Sequence, residues 1–246
     1  MSYTQILNKI SQFVIPRFCL WEACAFLMSF SEYDFAHKVP KQLIFFDIGL
    51  LVILGSFMIM SSRFETTSGV FASVYMFFRS FVEFQTSSFN KDLRYLIVLK
   101  MCGSAASILF HTIRLDQNRA RRRSTRFRLG CFFTSVLCVS LSATLLSNKI
   151  IKSNINKYLN SVHPSFKIYV PYFLMFMSVM LLVTSLSIGF NTSSLKDSFK
   201  FLSIFWSLFV IPLDISAKQS IPWIKYRLIA ADIMTALGFF TVWLNY

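Results

Sequence analysis

Acidic side chains are scarce in this sequence. The 246-residue chain holds 11 aspartates and glutamates against 25 lysines and arginines, and residues of either charge are only 15% of it. With 55% hydrophobic residues, that composition excludes an ordinary soluble domain. Glycine is also rare: the 7 present form no phosphate-cradling loop. There is no nucleophile elbow and no H-E-x-x-H pair, which disfavours a hydrolase or a nucleotide-driven pump. The five cysteines, Cys19, Cys24, Cys102, Cys131 and Cys138, all fall inside apolar runs without a C-x-x-C pair. They read as small buried hydrophobes rather than as a disulfide framework or a metal site. His37, His111 and His163 are scattered. No metal, no other cofactor and no enzymatic activity is expected.

What the chain does have is long apolar runs, with a mean hydropathy of +0.57. About 20 residues of helix cross a ~30 Å hydrocarbon core. Inside that core every backbone polar group needs an internal partner, so only helices or a closed barrel can span it. The runs are continuous rather than alternating, which favours helices over barrel strands. The expected fold is all-α: one polytopic transmembrane helical bundle over 1–246. Its eight spans are expected near 12–31, 42–61, 67–85, 93–113, 129–147, 168–190, 198–217 and 222–244. The piece ahead of the first span looks amphipathic, and Pro16, Arg17 and Glu22 argue against a signal peptide. Arg17 can snorkel to the interface or stack on Trp21, one turn on.

The formal net charge is +14, yet the basic residues sit in loops between spans, so nucleic acid is not an expected partner. The segment IRLDQNRARRRSTRFR carries seven arginines: Arg114, Arg119, Arg121, Arg122, Arg123, Arg126 and Arg128. A short loop this basic is expected in the cytoplasm, as a topology determinant or as a site for anionic lipid head groups. An even number of spans then puts both termini in the cytoplasm. Asn191 of the sequon Asn191-Thr192-Ser193 would face the same side and stay unglycosylated. In the loop 148–167, Ile150, Ile151, Ile155, Tyr158 and Leu159 recur at helical spacing, as in an interfacial helix.

Charged residues inside the spans form the candidate site. Arg79 and Glu83 are four apart and share a helix face. At 1.5 Å per residue, Asp47, Arg79, Glu83, Lys100, Asp214 and Arg227 all fall within about 10 Å of the non-cytoplasmic end. Asp232 and Glu22 fall deeper. Intramembrane charges face a bundle interior or a wet cavity. They form either a polar, charge-balanced vestibule for a small solute or ions, or interhelical pairs that only hold the bundle together.

Several residues resemble the transmembrane protein 101 family. They are Arg17, Trp21, Leu27-Met28 and Glu32, then Phe46-Asp47-Ile48-Gly49 and Ser56-Phe57-Met58, with further matches at Tyr158-Leu159-Asn160 and Leu213-Asp214. The arginine-rich loop also fits in place and character. Glu22 departs from the pattern, where a small neutral residue is expected, and Asp47 fits it. The resemblance implies a multi-pass membrane protein linked to NF-κB signalling, acting through membrane or cytoplasmic protein partners or lipids, with no catalytic residue. The alternative carried by the charges themselves is a small-solute or proton-coupled transporter.

Overall fold

The computed structural model describes residues 3–29, 40–60, 62–87, 89–114, 125–162, 168–190, 193–216 and 222–245. Helices occupy nearly all of them: α1 (Tyr3–Ser29), α2 (Lys41–Met60), α3 (Ser62–Thr86), α4 (Lys91–Arg114), α5 (Thr125–Ser147), α6 (Lys149–Val162), α7 (Val170–Gly189), α8 (Leu195–Phe205), α9 (Ile211–Ser216) and α10 (Pro222–Asn245). A π-helical turn, Trp206–Val210, joins α8 to α9, so Leu195–Ser216 runs as one rod. No strand occurs among the described residues.

Seven of these segments are long and apolar enough to cross a membrane, which fits an integral multi-pass protein. Helix α3 is not among the seven. Its length suffices, but Glu65, Arg79 and Glu83 lower its apolar character. It is nevertheless embedded in the bundle, with Ala72, Ser73 and Met76 buried.

Pairs of touching residues give the helix directions. Met58 lies beside Gly69 and Asp47 beside Arg79, so α2 and α3 are antiparallel. Ser73 meets Ala105 and Glu65 meets His111, which makes α3 and α4 antiparallel. Phe110 packs on Phe127 in α5, which in turn pairs with α7 through Ser135–Ser185 and Ser142–Ser178. Lys100 meets Asp232 while Ser107 lies against Gly238, so α4 and α10 run parallel. Among the described residues α1, α2, α3, α4, α5, α7, the α8–α9 rod and α10 alternate in direction, and α6 is shorter and stands outside that series.

Helix α4 is the centre of the bundle. Every residue in 99–113 is buried. Its contact with α10 is close because two glycines leave room: a Cβ on Gly103 would meet Thr235, and one on Gly238 would overlap Ser107 down to its backbone. Small residues at such crossings let helix backbones approach. Helices α5 and α7 use hydroxyls instead. Ser142 and Ser178 bond Oγ to Oγ at 2.6 Å, with each Oγ also within reach of the other's carbonyl oxygen, and Ser135 and Ser185 repeat this two turns away. Outward faces stay apolar, with Phe45 and Ile53 on α2 and Met175, Phe176 and Val183 on α7 exposed. That is the surface a lipid-facing helix presents.

Two local features differ from expectation. Helix α1 begins at Tyr3 and continues through Pro16. Arg17 therefore sits mid-helix, its guanidinium 3.8 Å over Phe13 rather than on Trp21, with Nη1 donating to the Phe13 carbonyl. The π turn just before Pro212 was not expected. Proline supplies no N–H to the helix ladder, and a widened turn absorbs such a break. The helix read from isoleucine spacing is present as α6. Asn148 caps it, accepting from Ile151 N–H at 3.1 Å, and Ile151 and Ile155 are buried against the bundle.

Candidate functional site

The intramembrane charges gather near one end of the bundle, in two networks. The first joins α1, α2, α3 and α10. Arg79 Nε donates to both oxygens of Asp47, at 2.9 and 2.7 Å, and its Nη1 donates to Glu22 Oε1 at 2.8 Å. Arg227 Nε donates to the same Glu22 oxygen at 2.6 Å, and its Nη1 and Nη2 hold Glu83 at 2.5 and 2.7 Å. Arg79 and Glu83 lie 3.9 Å apart, as expected for a shared helix face. Tyr75 donates its hydroxyl to Asp47. Phe26 lies under both guanidiniums, 4.6 Å from Arg79 and 5.8 Å from Arg227. Arginine suits this role because its planar fork serves two carboxylates at once and stacks on a ring.

The second network joins α4, α9 and α10. Lys100 Nζ donates to Asp214 Oδ2 and to Asp232 Oδ2, both at 2.5 Å. Trp206, the first residue of the π turn, donates its indole N–H to Asp232 Oδ1 at 3.1 Å. A void of about 20 Å³ beside Lys100 and Asp214 is closed by Ile151 of α6 and by Leu96 and Leu213. That is room for a single water molecule.

All seven residues read from the sequence, Asp47, Arg79, Glu83, Lys100, Asp214, Arg227 and Asp232, therefore take part. One point of that reading is corrected. Glu22, set apart for departing from the resemblance, is the hub of the first network: it is fully buried and is shared by two arginines. Its other oxygen, Oε2, has no hydrogen-bond donor. Glu22 and Asp232 share bases with the other carboxylates: the arginines and the lysine that reach them also hold Asp47, Glu83 and Asp214.

Among the described residues the charges do not balance: the first network holds three carboxylates and two guanidiniums, and the second holds two carboxylates and one ammonium. A buried charge without a counter-charge is costly, so each network has a place for one further positive charge or proton.

A cavity of about 310 Å³ lies between α2 and α3, with Asp47, Arg79 and Glu83 in its lining alongside Phe26, Phe46, Tyr75 and Phe78. At the other end of α4 is a pair that the sequence did not single out. His111 Nε2 and Glu65 Oε1 are 2.8 Å apart, and His111 Nδ1 is buried without a partner. Between the two ends, Lys100, Ser104, Ser107 and His111 recur at i, i+4, i+7 and i+11 on α4, all buried. Ser104 and Ser107 reach towards carbonyls of α10 at 3.4 and 3.5 Å.

Of the arginine-rich segment, Arg119, Arg121, Arg122 and Arg123 lie outside the described residues. Arg126 and Arg128 stand on the first turns of α5, Arg128 exposed and Arg126 half-buried. Asn191 and Thr192 of the sequon also lie outside the described residues. Comparison of the chain with protein-family models, with curated proteins and with solved structures returns no match.

Proposed function

We propose that this protein is a proton-coupled carrier with eight spans, its termini and arginine-rich segment facing the cytoplasm. The observation that carries the reading is the excess of acid among the described residues: five carboxylates, four of them buried and Asp47 part-buried, against three buried bases. A purely structural ion-pair network gains nothing from unmatched carboxylates, whereas a proton site needs a carboxyl that can be both neutral and charged.

The roles divide between the two networks. In the Lys100–Asp214–Asp232 triad one proton balances the second carboxylate. Loss of that proton leaves a net negative charge in the bundle and biases the helices that carry it. Those helices have an adjustable element at hand, the π turn that starts at Trp206 and sits one turn before α9. The buried serines and His111–Glu65 form a polar stripe from the triad to the opposite end. The Glu22–Asp47–Arg79–Glu83–Arg227 network borders the cavity and is the solute-facing half.

Proton binding by itself moves charge, so the test needs no known solute. The protein is reconstituted on a solid-supported membrane and given pH jumps. Wild type is expected to give a transient displacement current. Asp214→Asn should fold and lose it, because asparagine keeps an oxygen for Lys100 and mimics a permanently protonated aspartate. A wild-type trace equal to that of protein-free membrane, or an undiminished trace in Asp214→Asn, overturns the reading.

A further inference from the structure

The α2–α3 cavity is not sealed in the bundle. Leu43, Phe46, Phe78 and Val82 form its walls and are 57%, 67%, 63% and 61% exposed, so it opens sideways onto the apolar outer face. Its inner end is polar. Asp47, Tyr75, Arg79 and Glu83 line it there, and Phe26, Phe46 and Phe78 add three aromatic rings.

The carboxylates at that end are not equally exposed. Glu83 has both oxygens held by Arg227. Glu22 is fully buried behind the cavity lining. Asp47 likewise has both oxygens held, by Arg79, with Tyr75 donating to one of them, but its side chain is 16% exposed against 5% for Glu83. It is the carboxylate that a guest in the cavity can reach. Among the described residues, the network around it holds one more carboxylate than it has bases.

From these observations we propose that the α2–α3 crevice binds an amphiphile with an ammonium head group, drawn laterally from the bilayer. The head pairs with Asp47 among the aromatic rings, and the chain leaves between Leu43 and Val82 into lipid. Carboxylate plus aromatic faces is the chemistry that holds alkylammonium ions. A volume of about 310 Å³ takes the head and the first part of a chain, at the small end of ligand pockets. The bound cation supplies the charge that the first network lacks. An anionic head would add a fourth negative group and is disfavoured. This inference names a substrate class for the carrier proposed above, and the two can fail separately.

The test uses the full chain in nonionic maltoside micelles. Thermal unfolding is followed with a thiol-reactive dye, since Cys19, Cys102, Cys131 and Cys138 are buried. The probes are dodecyltrimethylammonium, dodecanol and dodecanoate at equal concentration. Near saturation the ammonium should raise the midpoint by about 4 °C or more. The alcohol and the carboxylate should not. Asp47→Asn should abolish the shift, as should Val82→Trp, which fills the crevice mouth and leaves every ion pair intact. If Asp47→Asn does not fold, Val82→Trp decides. An equal shift with dodecanol, or a shift that survives Val82→Trp, overturns the inference. Asp214→Asn lies in the other network and should keep the ammonium shift. A lost displacement current with a retained ammonium shift therefore counts against the carrier alone, and the converse counts against the crevice alone.

Discussion

Replacing Lys100 by methionine isolates the energetics of the triad. Methionine is close to lysine in length and apolar volume, so packing in α4 is largely kept. The loss is the ammonium that donates to Asp214 and Asp232 at 2.5 Å each. Removing one partner from a buried ion pair costs about 3–5 kcal/mol, because the remaining charge has no counter-charge. That corresponds to a folding equilibrium weakened roughly 200- to 5,000-fold. Water offers little relief, since Lys100 is 2% exposed and Asp232 is fully buried. Neutralising the whole triad should reverse most of the loss. In Lys100→Met/Asp214→Asn/Asp232→Asn no uncompensated charge remains, and stability should return to within about 2 kcal/mol of wild type. Reversible unfolding in mixed micelles, read by dye access to Cys102 on the same helix, measures both variants. If Lys100→Met loses less than about 1 kcal/mol, or the triple variant is weaker than the single one, the triad is not the charge-coupled unit described here.

Other consequences are smaller or more local. Trp206→Phe keeps the ring contact with Phe239 but removes the N–H donated to Asp232, and should cost about 1.5–3 kcal/mol in the same unfolding assay. Gly238→Val forces a side chain against the Ser107 backbone, so α4 and α10 must separate; a loss of about 1–3 kcal/mol or more is expected, with faster dye labelling of Cys102. A double-mutant cycle on Ser142→Ala and Ser178→Ala should return a coupling of about 0.6 kcal/mol, as is usual for hydroxyl pairs between membrane helices. Replacing Arg119, Arg121, Arg122 and Arg123 by glutamine should produce a mixed-orientation population, seen by protease protection of a C-terminal epitope.

The apolar segments were readable because a continuous hydrophobic run of this length has few other uses in a protein. Charges inside them were equally visible, and each of the seven residues from Asp47 to Asp232 belongs to a network. Their pairing was not visible. Lys100 and Asp214 are 114 positions apart, and Glu22 and Arg227 are 205 apart, so only the packed bundle brings them together. Glu22 was misjudged for a different reason. A resemblance assigned its position to a small neutral residue, while burial and two arginines make it a shared anchor. The signal that could have corrected this was the need for a counter-charge: a mid-span carboxylate needs a cation, and the long side chains of Arg79 and Arg227 can reach one from a shallower position.

Hydroxyls hid the rest. Ser104, Ser107, Ser135, Ser142, Ser178 and Ser185 sit in apolar runs where serine is common filler, and a serine that bonds its own helix looks the same in sequence as one that bonds a neighbour. His111 looked isolated because Glu65 stands on another helix. The π turn has no pattern of its own beyond the proline that follows it. Helix α1 starts early because Ile6, Ile10 and Ser11 continue the helical register through residues too polar to read as a span.

The central claim is that the triad holds a proton as well as a lysine charge, and difference infrared spectroscopy of the reconstituted protein over a pH titration tests it most directly. The account predicts a carbonyl band from one protonated carboxyl in wild type, lost on titration to alkaline pH and absent from Asp214→Asn. No such band in wild type at any pH, or an unchanged band in Asp214→Asn, would contradict it.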